Sequence, residues 1–279
     1  MSIFFKASIL KKKINPDDTL GIVPTMGSLH SGHASLIRKA VYENSLVIVS
    51  IFINPTQFEN KEDLNNYPRS IDSDVELIKN ISENILIYVP RSKDIYENSV
   101  AALSYDFGLV GRIMEAKYRT GHFNGVATIV EKLLLLFNPN KAYFGEKDFQ
   151  QLHIVKLLVK QKKINTRIVG CPILRGKNGV ALSSRNKLLN KKQIEAASFI
   201  HDQLTFARSL WERKSAKEII KKIKSSFLEK NYFKLDYFDI RYENNLLNAK
   251  KKSKRKARAF VAVKIGEIRL IDNLQLDEL

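Results

Sequence analysis

Short apolar runs and stretches of helical period alternate through the first two thirds of the chain. Leu20-Gly21-Ile22-Val23 reads as a short strand. Leu36, Ile37, Ala40 and Val41 then fall on one face of a helix, which predicts a helix beginning near Ser31. Residues 46–53 form a continuous apolar, β-branched run of the kind a parallel strand covered on both faces shows. That strand is expected to stop at Asn54-Pro55, because proline cannot continue a ladder. A helix over 72–80 and a strand over 85–89 follow. Next come a helix over 126–137, a strand over 142–144, a helix over 149–160 and a strand over 166–170. This rhythm predicts an α/β fold with a Rossmann-like parallel sheet, in which ligands collect beyond the carboxyl ends of the strands.

Near residue 174 the pattern changes. Two amphipathic helices over 191–212 and 216–229 precede strands over 235–242, 259–265 and 268–271, the pattern of a smaller C-terminal α+β domain. The expected division is therefore 1–173 and 174–279. No internal repeat is visible.

Composition changes this picture only at its edges. With 279 residues, 44% of them hydrophobic, the chain can bury a sizeable core. It holds no apolar run long enough to span a membrane, and the apolar patch at its start is too short for a signal peptide, so a cytoplasmic protein without a membrane partner is expected. The single cysteine, Cys171, excludes an internal disulfide and a cysteine-rich metal site. Its apolar neighbours predict a buried structural thiol. The net charge of +18 invites a nucleic-acid reading. Most of the lysine is scattered, however, and only residues 250–258 form a basic block, which is expected to be a solvated loop between two strands.

Candidate chemistry sits at the predicted strand ends. Pro24-Thr25-Met26-Gly27-Ser28-Leu29-His30-Ser31-Gly32-His33 places two imidazoles three residues apart, His33 in the first turn of a helix whose free N–H groups and dipole suit a phosphate chain. Asn54-Pro55-Thr56-Gln57 offers neutral amides that can orient hydroxyl and carboxylate groups. Asp72 and Asp74 open a helix, where carboxylates serve as caps or as Mg²⁺ partners. Gly145-Glu146-Lys147-Asp148 follows a strand and offers a cation, with Gln151 one turn further on. Ser183-Ser184-Arg185 puts two hydroxyls and a guanidinium in a loop suited to a developing pyrophosphate charge. Taken one at a time, each segment also fits an ordinary turn or cap.

Their order is more specific. P-T-M-G-x-L-H-x-G-H, N-P-T-Q-F, Y-P-R, R-T-G-H-F-N-G-V (Arg119 to Val126), F-G-E-K-D-F-Q-Q and L-S-S-R-N closely resemble the AMP-forming pantoate–β-alanine ligases, the pantothenate synthetase family of the nucleotidylyltransferase superfamily. The resemblance runs from about Leu20 to Asn186 and returns at Ile268-Arg269-Leu270-Ile271-Asp272-Asn273.

It implies ATP-dependent condensation of pantoate with β-alanine through a pantoyl adenylate, with ATP and Mg²⁺ as co-substrate and cofactor, in a homodimer without a nucleic-acid partner. His30 and His33 match the histidines on the ATP phosphates. Met26, Gln57 and Gln151 match the lining of the pantoate pocket, beside Asn54, and Met26 also falls within the ATP-binding set. Gly145, Lys147 and Asp148 match the nucleotide-binding segment. Ser183, Ser184 and Arg185 match a mobile loop that closes over the triphosphate. The catalytic set implied is His30, His33, Lys147 and Arg185. Asp74 matches a carboxylate of the Mg²⁺ region, and Ser73 stands where some relatives carry a second acid.

Two other functions stay open at this level. A related adenylyltransferase with a nucleotide or phosphopantetheine acceptor would keep H-x-G-H but has no reason to keep Gln57 and Gln151 in these settings. A nucleic-acid-binding protein would use the net charge.

Overall fold

All the strands expected before residue 174 join one parallel sheet. In the computed structural model, which describes residues 2–59, 61–96 and 99–277, the chain divides into two compact units, Met1–Leu174 and Arg175–Leu279. In chain order the first unit contains β1 (Ile3–Phe4), α1 (Ala7–Lys11), β2 (Leu20–Thr25), α2 (Ser31–Glu43), β3 (Leu46–Ile51), α3 (Lys61–Asn66), α4 (Ile71–Lys79), β4 (Ile85–Tyr88), α5 (Ser92–Ile95), α6 (Glu115–Tyr118), α7 (His122–Phe137), β5 (Lys141–Gly145), α8 (Phe149–Gln161) and β6 (Arg167–Cys171). The sheet order is β1-β4-β3-β2-β5-β6, all parallel. Apart from the added edge strand β1, this is the doubly wound order with its reversal between β2 and β5.

The register shows how a crevice arises at that reversal. β2 pairs with β3 along its whole length, Leu20↔Leu46 to Thr25↔Ile51. With β5 it shares only Gly21↔Lys141 and Ile22↔Ala142, whereas β5 continues along β6 to Gly145↔Cys171. Beyond Ile22 the strands part, and Pro24, inside β2, has no N–H to draw them together.

The covering helices bury the faces that their periodicity implies. α2 buries Ala34, Ile37 and Ala40; α4 buries Val75 and Ile78 and, unexpectedly, Asp74. α7 is buried at twelve of its sixteen positions, which makes it the core helix of the unit. It starts four residues before the helix expected at 126, because Gly121 adopts a left-handed conformation (φ 75°) that turns the chain into His122. Cys171 is buried, and burial pushes its thiol up to about 11.

The second unit lays α9 (Lys191–Leu210) and α10 (Ala216–Leu228) against an antiparallel sheet of β7 (Phe233–Tyr242), β8 (Ala257–Ile265) and β9 (Ile268–Gln275). The basic block is not wholly a loop. Residues 250–256 are exposed, but Ala257 and Arg258 begin β8. Arg258 is buried, with Nε 2.6 Å from Glu243 Oε1 and Nη1 2.6 Å from Asn273 Oδ1. A buried guanidinium needs such partners, and here the ninth basic-block position supplies an internal ion pair instead of surface charge.

Candidate active site

The loop after β2 is shaped by a carboxylate beneath it. Gly27 (φ 77°) and Ser28 (φ 52°) both lie in the left-handed region, and a Cβ on Gly27 would come 2.9 Å from Asp74 Oδ2. Ser28 N–H donates to Asp74 Oδ2 (2.8 Å) and Leu29 N–H to Asp74 Oδ1 (2.6 Å). Thr25 Oγ1 donates to Ser50 O (2.8 Å) and accepts from Gly27 N–H (3.3 Å), which ties the loop base to β3.

Asp74 therefore braces the loop, a task that its expected place in the Mg²⁺ region did not include. Both of its oxygens already hold backbone donors at 2% exposure. Among the described residues no group of three or more His, Cys, Asp or Glu side chains is arranged to hold a metal ion.

His30 caps α2. Its Nδ1 accepts from Gly32 N–H (3.1 Å), and His33 Nδ1 accepts from His30 N–H (3.3 Å). The rings sit 4.1 Å apart between centroids. An imidazole whose Nδ1 accepts carries its proton on Nε2 when neutral, so both histidines are fixed as Nε2–H donors at the positive end of a helix.

Beyond β3, Asn54 caps a 3₁₀ turn, Pro55–Gln57. Its Nδ2 donates to Gly125 O (3.0 Å) and Gln57 Oε1 (3.1 Å). Its Oδ1 accepts from Thr56 N–H, Thr56 Oγ1 and the Tyr96 phenol (2.5 Å). Burial pushes the Tyr96 phenol above its ordinary value, which keeps it a donor. Asn54 is fully buried, and both of its N–H groups are taken up inside the protein, one of them by Gln57.

Gln57 Oε1 is held by Asn54, and no described residue takes up its Nε2. Its backbone carbonyl accepts from His122 Nδ1 (2.9 Å) and Arg119 Nη2 (3.4 Å). A Cβ on Gly125 would stand 2.1 Å from Thr56 O, so only glycine lets α7 come this close to the turn. The sequence alone gives no role to Arg119, His122, Gly125 or Tyr96. R-T-G-H-F-N-G-V is visible there, but nothing local tells that its partner is a turn 65 residues before His122.

At the end of β5, Gly145 leads into a 3₁₀ turn, Glu146–Asp148, in which Lys147 Nζ lies 3.7 Å from Asp148 Oδ1. Of the adjacent amides on α8, Gln150 is buried and structural: its Nε2 donates to Val110 O and Ile113 O (both 2.8 Å) and its Oε1 accepts from Glu115 N–H (3.0 Å). Gln151 is half-buried, and no described residue bonds its amide. Met26 is half-buried just past β2. Adjacent strand ends thus bring together Met26, His30 and His33, then Gln57, then Lys147, Asp148 and Gln151.

Ser183, Ser184 and Arg185 belong to the second unit. Ser183 Oγ accepts from Arg185 N–H (3.3 Å) and caps a 3₁₀ turn, Ser184–Leu188. The preceding hairpin is pinned by Arg175, whose guanidinium is bidentate on Asp272 (2.6 and 3.0 Å) and also reaches Asn273 O. Asp272 and Asn273 of the Ile268–Asn273 segment thus hold the base of that hairpin.

A Rossmann-order sheet with donor imidazoles and a lysine at its switch point defines a nucleotide-using α/β enzyme. The sequence profile described as pantoate-β-alanine ligase matches residues 5–275, and the chain belongs to that family. It is accordingly a ligase of pantothenate biosynthesis. A pantothenate synthetase of Flavobacterium psychrophilum is 48% identical, over 99% of this chain and 100% of its own length. One from Christiangramia forsetii is 41% identical with the same coverage. Among solved structures, a pantothenate synthetase of Thermus thermophilus superposes with a TM-score of 0.93 at 34% identity, over 99% of both chains. The pantoate-β-alanine ligase of Francisella tularensis, complexed with β-γ ATP and β-alanine, superposes at 0.83 with 37% identity, over 100% of this chain and 98% of its own.

Proposed function

We propose that this chain joins pantoate to β-alanine in two steps at the carboxyl ends of β2, β3 and β5. In the first, a pantoate carboxylate oxygen attacks the α-phosphorus of ATP and pyrophosphate leaves. In the second, the β-alanine amine attacks the acyl carbon of the pantoyl adenylate, giving pantothenate and AMP, with loss of a proton from nitrogen. The observation that carries this is the pair of Nε2–H imidazoles fixed at the start of α2, one strand away from the amide of Gln57.

His30 and His33 donate to phosphate oxygens as charge builds on them. Lys147 supplies a full positive charge from the neighbouring strand end, and Asp148 lies toward the ribose. Gln57 and Gln151 orient the hydroxyl and carboxylate of pantoate against Met26. Ser183, Ser184 and Arg185 are assigned to the triphosphate by their motif. This chemistry needs alignment and charge neutralisation more than covalent help, which fits a site of imidazoles, amides and one lysine. Mg²⁺ would accompany ATP and offset the charge that builds on its phosphates. A homodimer and a cytoplasmic location complete the reading and rest on the family resemblance.

The test is an AMP-release assay with ATP, pantoate and β-alanine, each omitted in turn. Pyrophosphate should appear with ATP and pantoate alone, and AMP with pantothenate only when β-alanine is added. Pyrophosphate release without pantoate would overturn the reading.

A further inference from the structure

The geometry points to His122 and Arg119 as positioning residues for pantoate, acting through the backbone of Gln57. The inference rests on Gln57 being a pantoate contact, and it gives a task to the R-T-G-H-F-N-G-V segment, which the reaction scheme leaves without one.

Gln57 can orient a ligand only if its turn is immobile, and its Nε2 is the side-chain donor left once Asn54 holds Oε1. The carbonyl of Gln57 accepts from His122 Nδ1 at 2.9 Å and from Arg119 Nη2 at 3.4 Å. Because Nδ1 donates there, neutral His122 carries its proton on Nδ1 and has Nε2 as an acceptor, which meets Arg119 Nη1 at 3.0 Å. Arg119 in turn lies 4.0 Å from the carboxylate of Glu115. The chain Glu115–Arg119–His122–Gln57 thus fixes both the tautomer of His122 and the place of the turn. Gly125, one helical turn along α7, closes the same contact from below by admitting Thr56 O. His122 has the opposite tautomer to His30 and His33: those use Nδ1 inward as an acceptor and keep Nε2–H as the donor, whereas His122 spends its donor on the protein. Its function is internal. Arg119 also lines a cavity of about 330 Å³ with Phe107, Arg112, Phe123 and Asn124, so a small cation can reach its place from outside the turn.

The test compares kcat and the KM of each substrate for purified His122→Ala, His122→Asn, Arg119→Ala, Gln57→Ala and the His122→Ala/Gln57→Ala double variant. His122→Ala should raise the pantoate KM about tenfold or more, the scale of one buried hydrogen bond, while the ATP KM moves less than about twofold. His122→Asn puts an N–H where Nδ1 was and should recover most of the loss. In the Gln57→Ala background His122→Ala should add almost nothing, because the two act as one unit. Arg119→Ala should be partly rescued by guanidinium added to the assay. Equal rises in the ATP and pantoate KM, or full additivity in the double variant, would overturn the inference. Parental pantoate KM in Gln57→Ala would instead defeat the reading of Gln57 itself. If His122→Ala fails to fold, His122→Asn and the guanidinium response of Arg119→Ala decide: no rescue, with the ATP and pantoate KM rising together, counts against it.

Discussion

The loop after β2 and the turn after β3 stand side by side at the same edge of the sheet, yet they are braced with opposite chemistry. The β2 loop rests on an anion. Asp74 draws the Ser28 and Leu29 N–H groups inward, so those amides are not spent on a ligand, and outward donation falls to the imidazoles of His30 and His33. The β3 turn rests on donors. Its carbonyls meet His122, Arg119 and the close approach of Gly125, and what remains outward is the amide of Gln57. The loop proposed to hold phosphate is thus tied by its N–H groups and carries side-chain N–H donors. The turn proposed to hold a hydroxy acid is tied by its C=O groups and carries a neutral amide.

Removing the anionic brace should have the largest effect. Asp74→Ala leaves two buried N–H groups without an acceptor, which costs about 1–3 kcal/mol each, and denaturant unfolding should show a loss of about 2–6 kcal/mol. Asp74→Asn separates the brace from a metal role: its stability should fall while the Mg²⁺ dependence of the residual activity keeps its midpoint. A variant with parental stability that needs more Mg²⁺ would put Asp74 on the ligand side.

Next in size come the outward donors of the β2 loop and its neighbour. His33→Ala or Lys147→Ala should lower turnover about a hundredfold or more, the scale of losing one oriented donor in the transition state, with unfolding free energy changed by less than about 1 kcal/mol. Adenylate formation at the parental rate in either variant would remove that residue from its proposed role.

A third effect falls on the β3 turn. Gly125→Ala drives a methyl group to within 2.1 Å of Thr56 O unless something moves, and backbone on both sides resists. Overpacking of this kind costs about 1–3 kcal/mol, and the pantoate KM should rise before that of ATP. Equal rises would mean that the two loops move as one body.

The outward halves of both loops are legible in the sequence, and the braces are not. His30 and His33 stand three residues apart beside a glycine, and Gln57 follows a strand-ending Asn-Pro; these are local signals. Asp74 reads only as a cap or a Mg²⁺ partner because the N–H groups it braces, those of Leu29 and Ser28, lie 45 and 46 residues away and backbone groups leave no mark in composition. Asn54 and Gln57 look alike as amides, and only the fold shows that both N–H groups of Asn54 are taken up inside the protein while Gln57 Nε2 is not. Gln150 and Gln151 pose the same problem, since adjacent residues on α8 face different ways. The sheet is readable from its β-branched runs, but β1, only two residues long, is not: its place comes from pairing with β4. Arg258 falls in with a solvated block because the sequence does not show where β8 begins.

The smallest expected effect serves as a control at the far end of the sheet. Glu43, the last residue of α2, is as well bonded as Asp74. Lys39 Nζ lies 2.7 Å away, Tyr143 OH donates at 2.9 Å, and Lys141 Nζ lies at 3.2 Å at the amino-terminal start of β5. The Lys39 bond first, then that of Tyr143, pulls its carboxyl from 4.5 down to about 2. A carboxylate lowered on folding stabilises the protein above its unfolded value, and that contribution fades as pH falls from about 4.5 toward 2. Glu43 is partly open to solvent, so Glu43→Gln should cost only about 0.2–1 kcal/mol at about pH 7. The gap between variant and parent in denaturant midpoint should narrow as the pH falls through that window. Turnover and all three KM values should not change, because this carboxylate holds no loop that faces a ligand. A rise in the pantoate or ATP KM in Glu43→Gln would show that the whole sheet, and not its braced loops, sets the geometry of the site.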